Sequence, residues 1–280
     1  MREDHDIAID LRDGAEGDAC QALDEVGIGA EELQPVSSFY KLSLQEADRS
    51  AVQRFLEIVS DRKLGKLISH RVTRSYSDDE LDRSPWLTLH IDTTHLDDPE
   101  PDYDTAQACP HCGSGAEPRP PLRFARNQMG RRLMDRTAYA GLLIVHRDLA
   151  RRITDARLKG LSFEPARLGK DRDAFRWARV TSCLPQASPS TPFLRTGLCK
   201  RCRRGGYQLR PDQPLGLRYD DPRELEEAAD FNVTWECVFK LGSQAQPLGG
   251  SRVLVISQAA RGVLAAAKVA KLGLSPLTVG

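Results

Sequence analysis

Apolar residues follow two distinct spacings in the first third of the chain, and each spacing predicts a different element. In SSFYKLSL, residues 37–44, successive side chains alternate as in a β-strand. In residues 44–63, apolar side chains recur every three or four positions, which predicts one buried face of an amphipathic helix. PWLTLHID, residues 85–92, predicts another strand, and the acidic, proline-bearing stretch LDDPEPDYD, residues 96–104, ends it.

Two later segments share one apolar pattern. LLIVHRDLARRITDARLKGLSFEPARL, residues 142–168, aligns without a gap to VLVISQAARGVLAAAKVAKLGLSPLTV, residues 253–279. Each begins with a continuous apolar run, which is typical of a strand buried on both faces, and continues as a helix and a short extended segment containing proline. Ser257 is placed to cap the second helix. The alternative is a chance likeness between two common strand-helix units.

These patterns predict an α+β protein with a mixed sheet built from two repeated strand-helix-strand units and helices on its faces. Trp177 and Trp235 are expected in core strands. The chain would then comprise three regions, namely an acidic flexible arm (1–35), an N-terminal strand-helix-strand segment (36–105) and a duplicated region (106–280).

Charge is the basis for the predicted arm. The whole chain balances 40 basic against 40 acidic residues, but its first 35 residues carry eleven Asp or Glu and only two Arg. A segment so rich in like charge and poor in large apolar side chains is typical of a solvated tail. Alternatively, the arm covers a basic surface on this chain or on a partner.

The chain begins MREDHDIAID, without an apolar signal segment, and none of its apolar runs approaches the roughly 20 residues of a membrane helix. We therefore expect a cytoplasmic protein that does not enter a membrane. In a reducing compartment, closely spaced cysteines are typical of metal ligands or redox centres rather than of a disulfide framework.

Four of the seven cysteines form two CxxC pairs, Cys109 with Cys112 and Cys199 with Cys202, separated by 86 residues. Two such turns facing each other can complete a tetrahedral four-thiolate zinc site. The fold would then include a zinc-ribbon-like four-cysteine clasp between distant parts of the chain. The alternative is a set of unrelated buried or redox cysteines.

Four thiolates would close the zinc shell, so the predicted zinc is structural rather than catalytic. His111 lies inside the first pair and is expected at the surface or behind the ligands, while Cys183 and Cys237 are expected as buried thiols or reserve ligands. The chain contains none of the G-x-S-x-G, Walker-type or H-E-x-x-H motifs, which favours a protein that is not an enzyme.

The two CxxC pairs, the module YAGLLIVHRDLARRI, and WECVFKLGS followed by SRVLVISQAARGVLAAAKVAKLGLSPLTV together resemble the double-CXXCG motif family of social soil bacteria. The resemblance implies an immunity protein that neutralises a cognate protein toxin of the Sit type by stoichiometric binding. The double-CXXCG family is similar to the wider group of polymorphic-toxin immunity proteins. The four cysteines are the matched functional positions, and the family supplies no catalytic residues.

This chain departs from the family pattern in three ways: Arg203 replaces the second motif's glycine, residues 1–35 are extra, and the segment before Cys109 is long. The acidic arm and the acidic run at residues 97–104 would suit a basic toxin such as a nuclease.

The competing hypothesis is a zinc-ribbon nucleic-acid-binding or regulatory protein, and a zinc hydrolase is a third class. Arginine and lysine cluster at the second CxxC pair and in RFARNQMGRRLMDR, where they could neutralise phosphates. Zero net charge and the lack of interleaved aromatic residues oppose this hypothesis. The clustered residues are Arg123, Arg126, Arg131, Arg132, Arg136, Arg195, Lys200, Arg201, Arg203 and Arg204.

Overall fold

The protein is a strand-rich α+β chain with few helices. The computed structural model describes residues 1–36, 38–46, 48–91, 96, 102–137, 141–210, 213, 215–239, 251–270 and 272–280. Two compact units are present, the first built from Met1–Ser77 and the second from Asp78–Leu209 and Leu215–Gly280. No helix in these described ranges is long and apolar enough to cross a membrane.

The first unit packs two helices against a four-stranded antiparallel sheet with the order β2-β3-β1-β4. The predicted strand and helix at residues 37–63 are confirmed as β3 and α2. The elements are β1 (Arg2–Leu11), α1 (Glu16–Glu25), a 3₁₀ turn (Ala30–Glu32), β2 (Leu33–Val36), β3 (Phe39–Leu44), α2 (Arg49–Asp61) and β4 (Gly65–Ser75).

The expectation of a flexible acidic arm over residues 1–35 is wrong. β1 is a central strand of the sheet, and its side chains alternate so that Ile7 and Ile9 are buried while the neighbouring aspartates face solvent. On α1, Ala22 and Leu23 are buried in the same core as Phe55 of α2. A few well-spaced apolar side chains thus order a segment whose aspartates on β1 face outward, while Glu3 lies on the same face of β1 as Ile7 and is paired with Arg74 at 2.6 Å.

In its described residues, the second unit contains the remaining strands, three helices and one 3₁₀ turn. These elements are α3 (Asp78–Asp82), β5 (Trp86–Ile91), β6 (Tyr103–Asp104), β7 (Glu117–Pro118), β8 (Leu122–Phe124), β9 (Met134–Arg136), β10 (Leu143–His146), α4 (Arg147–Asp155), β11 (Leu161–Leu168), β12 (Asp171–Val180), β13 (Phe193–Arg195), β14 (Tyr207–Leu209), β15 (Arg218–Tyr219), a 3₁₀ turn (Pro222–Leu225), β16 (Phe231–Val233), β17 (Val238–Phe239), β18 (Leu254–Ser257), α5 (Gln258–Ala266), β19 (Leu272–Pro276) and β20 (Thr278–Val279).

The two segments with a common apolar pattern both form strand, helix and strand, as β10-α4-β11 and β18-α5-β19. They lie in different sheets, so the expectation of one sheet built from both is wrong. The first sheet has the order β8-β11-β12-β10-β9 and the second β16-β18-β5-β19. In each sheet, a further strand lies between the two strands of the segment. This strand is β12 in the first sheet and β5 in the second.

The strand pairing around these two segments follows one scheme. β12 is antiparallel to both β10 and β11, and β5 is antiparallel to both β18 and β19. A further antiparallel strand, β9 or β16, continues each sheet beyond β10 or β18. β8 pairs parallel with the end of β11, and β15 pairs parallel with β20, which follows β19 after Leu277.

The predicted domain boundary at residues 105 and 106 differs from the observed one. β5 belongs to the second unit because its two neighbours, β18 and β19, come from the end of the chain. The predicted acidic loop at residues 96–104 lies largely outside the described residues.

The residues at the ends of α4 and α5 explain where each helix begins and stops. Ser257 accepts a hydrogen bond from the N–H of Ala260 at 3.1 Å, which confirms the predicted cap, and the His146 side chain accepts from Asp148 N–H at 3.2 Å. Beyond the last turns, Arg157 and Lys268 both adopt a left-handed conformation, with φ of 55° in each.

The two tryptophans differ in their surroundings. Trp177 lies on β12 in a buried cluster, as predicted. Trp235, expected on a core strand, is instead half-buried in the bend between β16 and β17, where the Arg204 guanidinium stacks 5.6 Å from the ring centroid. A bend lets one ring face stay open to a cation.

Candidate metal centre

Each CxxC pair sits at the end of a short antiparallel hairpin. β6 and β7 bracket Cys109 and Cys112, with Tyr103 opposite Pro118. β13 and β14 bracket Cys199 and Cys202, with Phe193 opposite Leu209. A hairpin end fixes the backbone on both sides of the turn, so each pair of thiols projects from a defined position.

The two turns share one backbone hydrogen bond, and their closing bonds differ by one residue. In the first, Gly113 N–H donates to Cys109 O at 2.8 Å, and Cys109 N–H donates to Ser114 O at 2.8 Å. In the second, Arg203 N–H donates to Cys199 O at 2.9 Å, and Cys199 N–H donates across the turn to Gly205 O at 2.9 Å. The second turn closes one residue later than the first.

The four sulfur atoms form one compact cluster. All of them lie within 4.8 Å of one another, with 3.8 Å between the Sγ atoms of Cys109 and Cys199 and 3.5 Å between those of Cys112 and Cys202. A tetrahedron with metal to sulfur bonds of about 2.3 Å has edges of roughly 3.8 Å. A disulfide would need about 2.05 Å. The spacing therefore matches four ligands of one ion.

Backbone N–H groups favour the thiolate form of the first cysteine in each pair. Hydrogen bonds from the N–H groups of His111 and Cys112 lower the pKa of Cys109. Those from Cys202 and Arg201 lower the pKa of Cys199 to about 6, against the opposing effect of burial.

Cys112 differs from these two thiols. Burial raises its pKa to about 12, although its sulfur lies 3.1 Å from Ser114 Oγ. A bound cation would reverse this preference, because a coordinating thiol is deprotonated outright. A metal ion held by the four sulfurs would therefore supply the positive charge that favours the thiolate of Cys112.

Gly205 shows how closely the two hairpins approach each other. At Gly205, an added Cβ would lie 3.2 Å from the Cys112 sulfur and 3.1 Å from Ser114 Oγ, so the second turn packs directly on the first.

Arg203 occupies the place of Gly113 and adopts the same left-handed conformation, with φ of 59° against 72°. The turn is preserved without glycine, at the cost that a side chain incurs in this region.

The other candidate ligands lie outside the cluster. Within the described residues, the four CxxC cysteines form the group whose ligand atoms could hold a metal ion, and His111, Cys183 and Cys237 are not members of it. Cys237 is buried, as predicted, whereas Cys183 is exposed because it lies beyond the end of β12, where the Arg252 guanidinium lies 3.6 Å from its sulfur.

Sequence reasoning did not single out Ser114, which contacts a ligand, or the packing role of Gly205. The small residues directly after each CxxC pair, Gly113-Ser114 and Gly205-Gly206, are the signal that could have found them. Neither a family model nor a curated protein matches this chain.

Proposed function

We propose that the four cysteines hold a structural zinc ion. The observation that carries this proposal is the closed set of four sulfurs from two hairpins, whose spacing fits a tetrahedral ion. Four thiolates favour zinc among the common protein metals. They also leave no open position for substrate, so the metal would stabilise the fold and not act in catalysis.

On this basis, the chain is a non-enzymatic binding protein of the double-CXXCG type that neutralises a cognate toxin by stoichiometric binding. The resemblance carried by the two CxxC pairs and by the C-terminal module supports this proposal. A rigid scaffold that displays a fixed surface is what such a protein needs, and a metal clasp between two hairpins provides rigidity.

The second unit, in this proposal, arose by duplication. Each copy would run as a strand, a hairpin with one CxxC pair, two short strands, and then strand, helix and strand, with β17 as an additional short strand in the second copy. The first strand of each copy, β5 or β12, would insert between the last two strands of the other copy. The matching strand schemes around β12 and β5 support this arrangement.

An acidic surface for a basic toxin also remains part of the proposal, but not as a flexible arm. Glu16, Asp18 and Asp24 lie exposed on α1, on the side opposite its buried residues. Deleting residues 1–35 would remove the central strand β1, so the charge has to be tested by substitution. Asp18→Asn combined with Asp24→Asn should slow association with a basic toxin and reduce its salt dependence.

The test of toxin binding is co-expression with Sit-type toxins in a sensitive host. Survival with one toxin, together with a 1:1 complex measured by size-exclusion chromatography and light scattering, is the expected result. Cys109→Ser should reduce protection in proportion to the loss of folded protein. Survival without a complex would contradict stoichiometric neutralisation.

A second candidate function is supported by the exposed basic tip of the second hairpin. Arg195, Lys200, Arg201 and Arg203 are exposed there, and none of the ion pairs in the described part of the chain involves them. Such a tip could contact phosphates. Duplex binding that falls steeply with salt, and that weakens in Lys200→Gln with Arg201→Gln, would favour nucleic-acid binding over the toxin proposal.

A further inference from the structure

A recess of about 170 Å³ lies between the two main sheets of the second unit, beside the first hairpin. Its walls come from both sheets, with Leu143 and Trp177 on one side and Leu254 on the other. The recess is separate from the four sulfur atoms, and its interpretation does not depend on the proposed toxin or metal.

Arg136 brings a positive charge into this recess. Its Nε donates to Gly141 O at 2.8 Å and its Nη2 donates to Arg252 O at 2.7 Å. These two carbonyls fix the plane of the guanidinium but do not neutralise it. A guanidinium has five N–H donors, so three are left without an acceptor among the described residues. Burial lowers the pKa of Arg136 to about 10, which leaves the group charged at neutral pH.

The surrounding charges do not balance Arg136. In the described residues, no carboxylate forms an ion pair with it, whereas the neighbouring Arg179 is paired with Glu117 and Arg132 with Asp135. Arg252, which also lines the recess, adds a second cation whose Nη1 contacts the Cys183 sulfur. A recessed charge without a counter-ion is costly, and an anion relieves that cost.

We propose that this recess binds a small organic carboxylate. The carboxylate would take the planar pair of donors that Arg136 has left, and the apolar part of the ligand would lie against Leu143, Trp177 and Leu254. The volume of the recess is suited to a ligand of about the size of a benzoate ion. Guanidinium geometry favours a planar two-oxygen acceptor, while the apolar walls favour a carbon skeleton over inorganic phosphate.

The test uses the full chain, with benzoate as the probe and benzamide as its neutral counterpart. Isothermal titration should show benzoate binding at least about tenfold more tightly than benzamide, because only the carboxylate gains charged hydrogen bonds. Inorganic phosphate should compete poorly. Equal binding of benzoate and benzamide, or no binding of benzoate, would overturn the proposal, and so would phosphate binding more tightly than benzoate.

Variants locate the binding. Arg136→Lys keeps the charge but loses the planar fork, and it should weaken benzoate binding by about tenfold. The matched control is Arg151→Lys, a highly exposed arginine on α4, which should bind as the unchanged chain does. Unchanged binding by Arg136→Lys would overturn the assignment.

If Arg136→Lys does not fold, nitrogen-15 correlation spectra of the unchanged chain supply the same information. Addition of benzoate should shift the Arg136 Nε–H signal together with the amides of Gly141 and Leu143. Shifts confined to other regions of the chain would overturn the proposal.

Discussion

The two strand-helix-strand segments of the second unit share a strand scheme but differ in where their central strand comes from. β10-α4-β11 takes β12, the next strand along the chain, whereas β18-α5-β19 takes β5, which lies more than 150 residues upstream. The first sheet can therefore form from local contacts. The second must wait for the two ends of the unit to meet, and closing such a long loop is entropically costly.

The hairpins compensate for this difference. The first hairpin follows β5 and the second follows β12, so a metal held by both would tie the distant central strand to the local one. A clasp that closes a long loop gives the largest entropic stabilisation in principle. The sheet around β5 should therefore depend more on the metal than the sheet around β12.

The largest effect should come from removing a ligand. Cys109→Ser and Cys199→Ser should each lose one zinc per chain, as measured by elemental mass spectrometry, and should lower the melting temperature by on the order of 10 °C or more. A chelator should do the same to the unchanged chain. Cys183→Ser, which removes an exposed thiol outside the cluster, is the control and should change neither value.

Metal that survives the loss of either pair would separate the hairpins into independent sites. No metal in the unchanged chain would remove the clasp altogether, and the two sheets would then owe their association to packing alone.

The sequence predicted the local elements well because their signals are local. The apolar spacing located β3, α2, β5 and both strand-helix-strand segments, and the serine before α5 located its cap. The four cysteines lie together, as their spacing predicted. The elements and the cap depend on residues within one turn or one strand of each other, whereas the meeting of the two cysteine pairs follows from the four ligands that a tetrahedral site needs.

Two kinds of feature were not predicted from the sequence, for different reasons. In β1, acidic residues dominate the composition and obscure the alternation of Ile7 and Ile9, although IAIDL carries the signal. The pairing of β5 with β18 and β19 has no local signal at all, since any buried apolar strand can complete such a sheet. Likewise, the sequence shows that Arg136 is charged but not that it lies in a recess between two sheets.

The next largest effect should separate the two sheets. Leu89→Ala in β5 and Phe175→Ala in β12 each remove a buried side chain from a central strand and should lower the free energy of unfolding by about 2–5 kcal/mol. Native-state hydrogen exchange should then show protection lost first in β18 and β19 for Leu89→Ala, and in β10 and β11 for Phe175→Ala. The opposite pattern would contradict the observed strand orders.

A smaller difference should follow from the helix starts. Ser257→Ala removes the cap of α5, where the hydroxyl also donates to Asp230 Oδ1 at 2.7 Å, and it should cost about 1 kcal/mol in urea denaturation. Thr154→Ala on α4 is the control, since that exposed hydroxyl only returns to the Ala150 carbonyl within its helix. Equal losses from the two changes would mean that the cap adds no stability of its own.

The smallest effect should come from the turn residue that distinguishes the hairpins. Arg203 adopts a left-handed conformation that costs a side chain about 1–2 kcal/mol, whereas glycine loses about 0.5–1 kcal/mol through its greater freedom when unfolded. Arg203→Gly should therefore stabilise the metal-bound chain by up to about 1 kcal/mol, and Gly113→Ala should destabilise it by a similar amount. Thermal unfolding at saturating zinc measures both. A loss of stability in Arg203→Gly would mean that the arginine side chain contributes contacts that outweigh its backbone strain, and the two hairpins would then differ in function as well as in sequence.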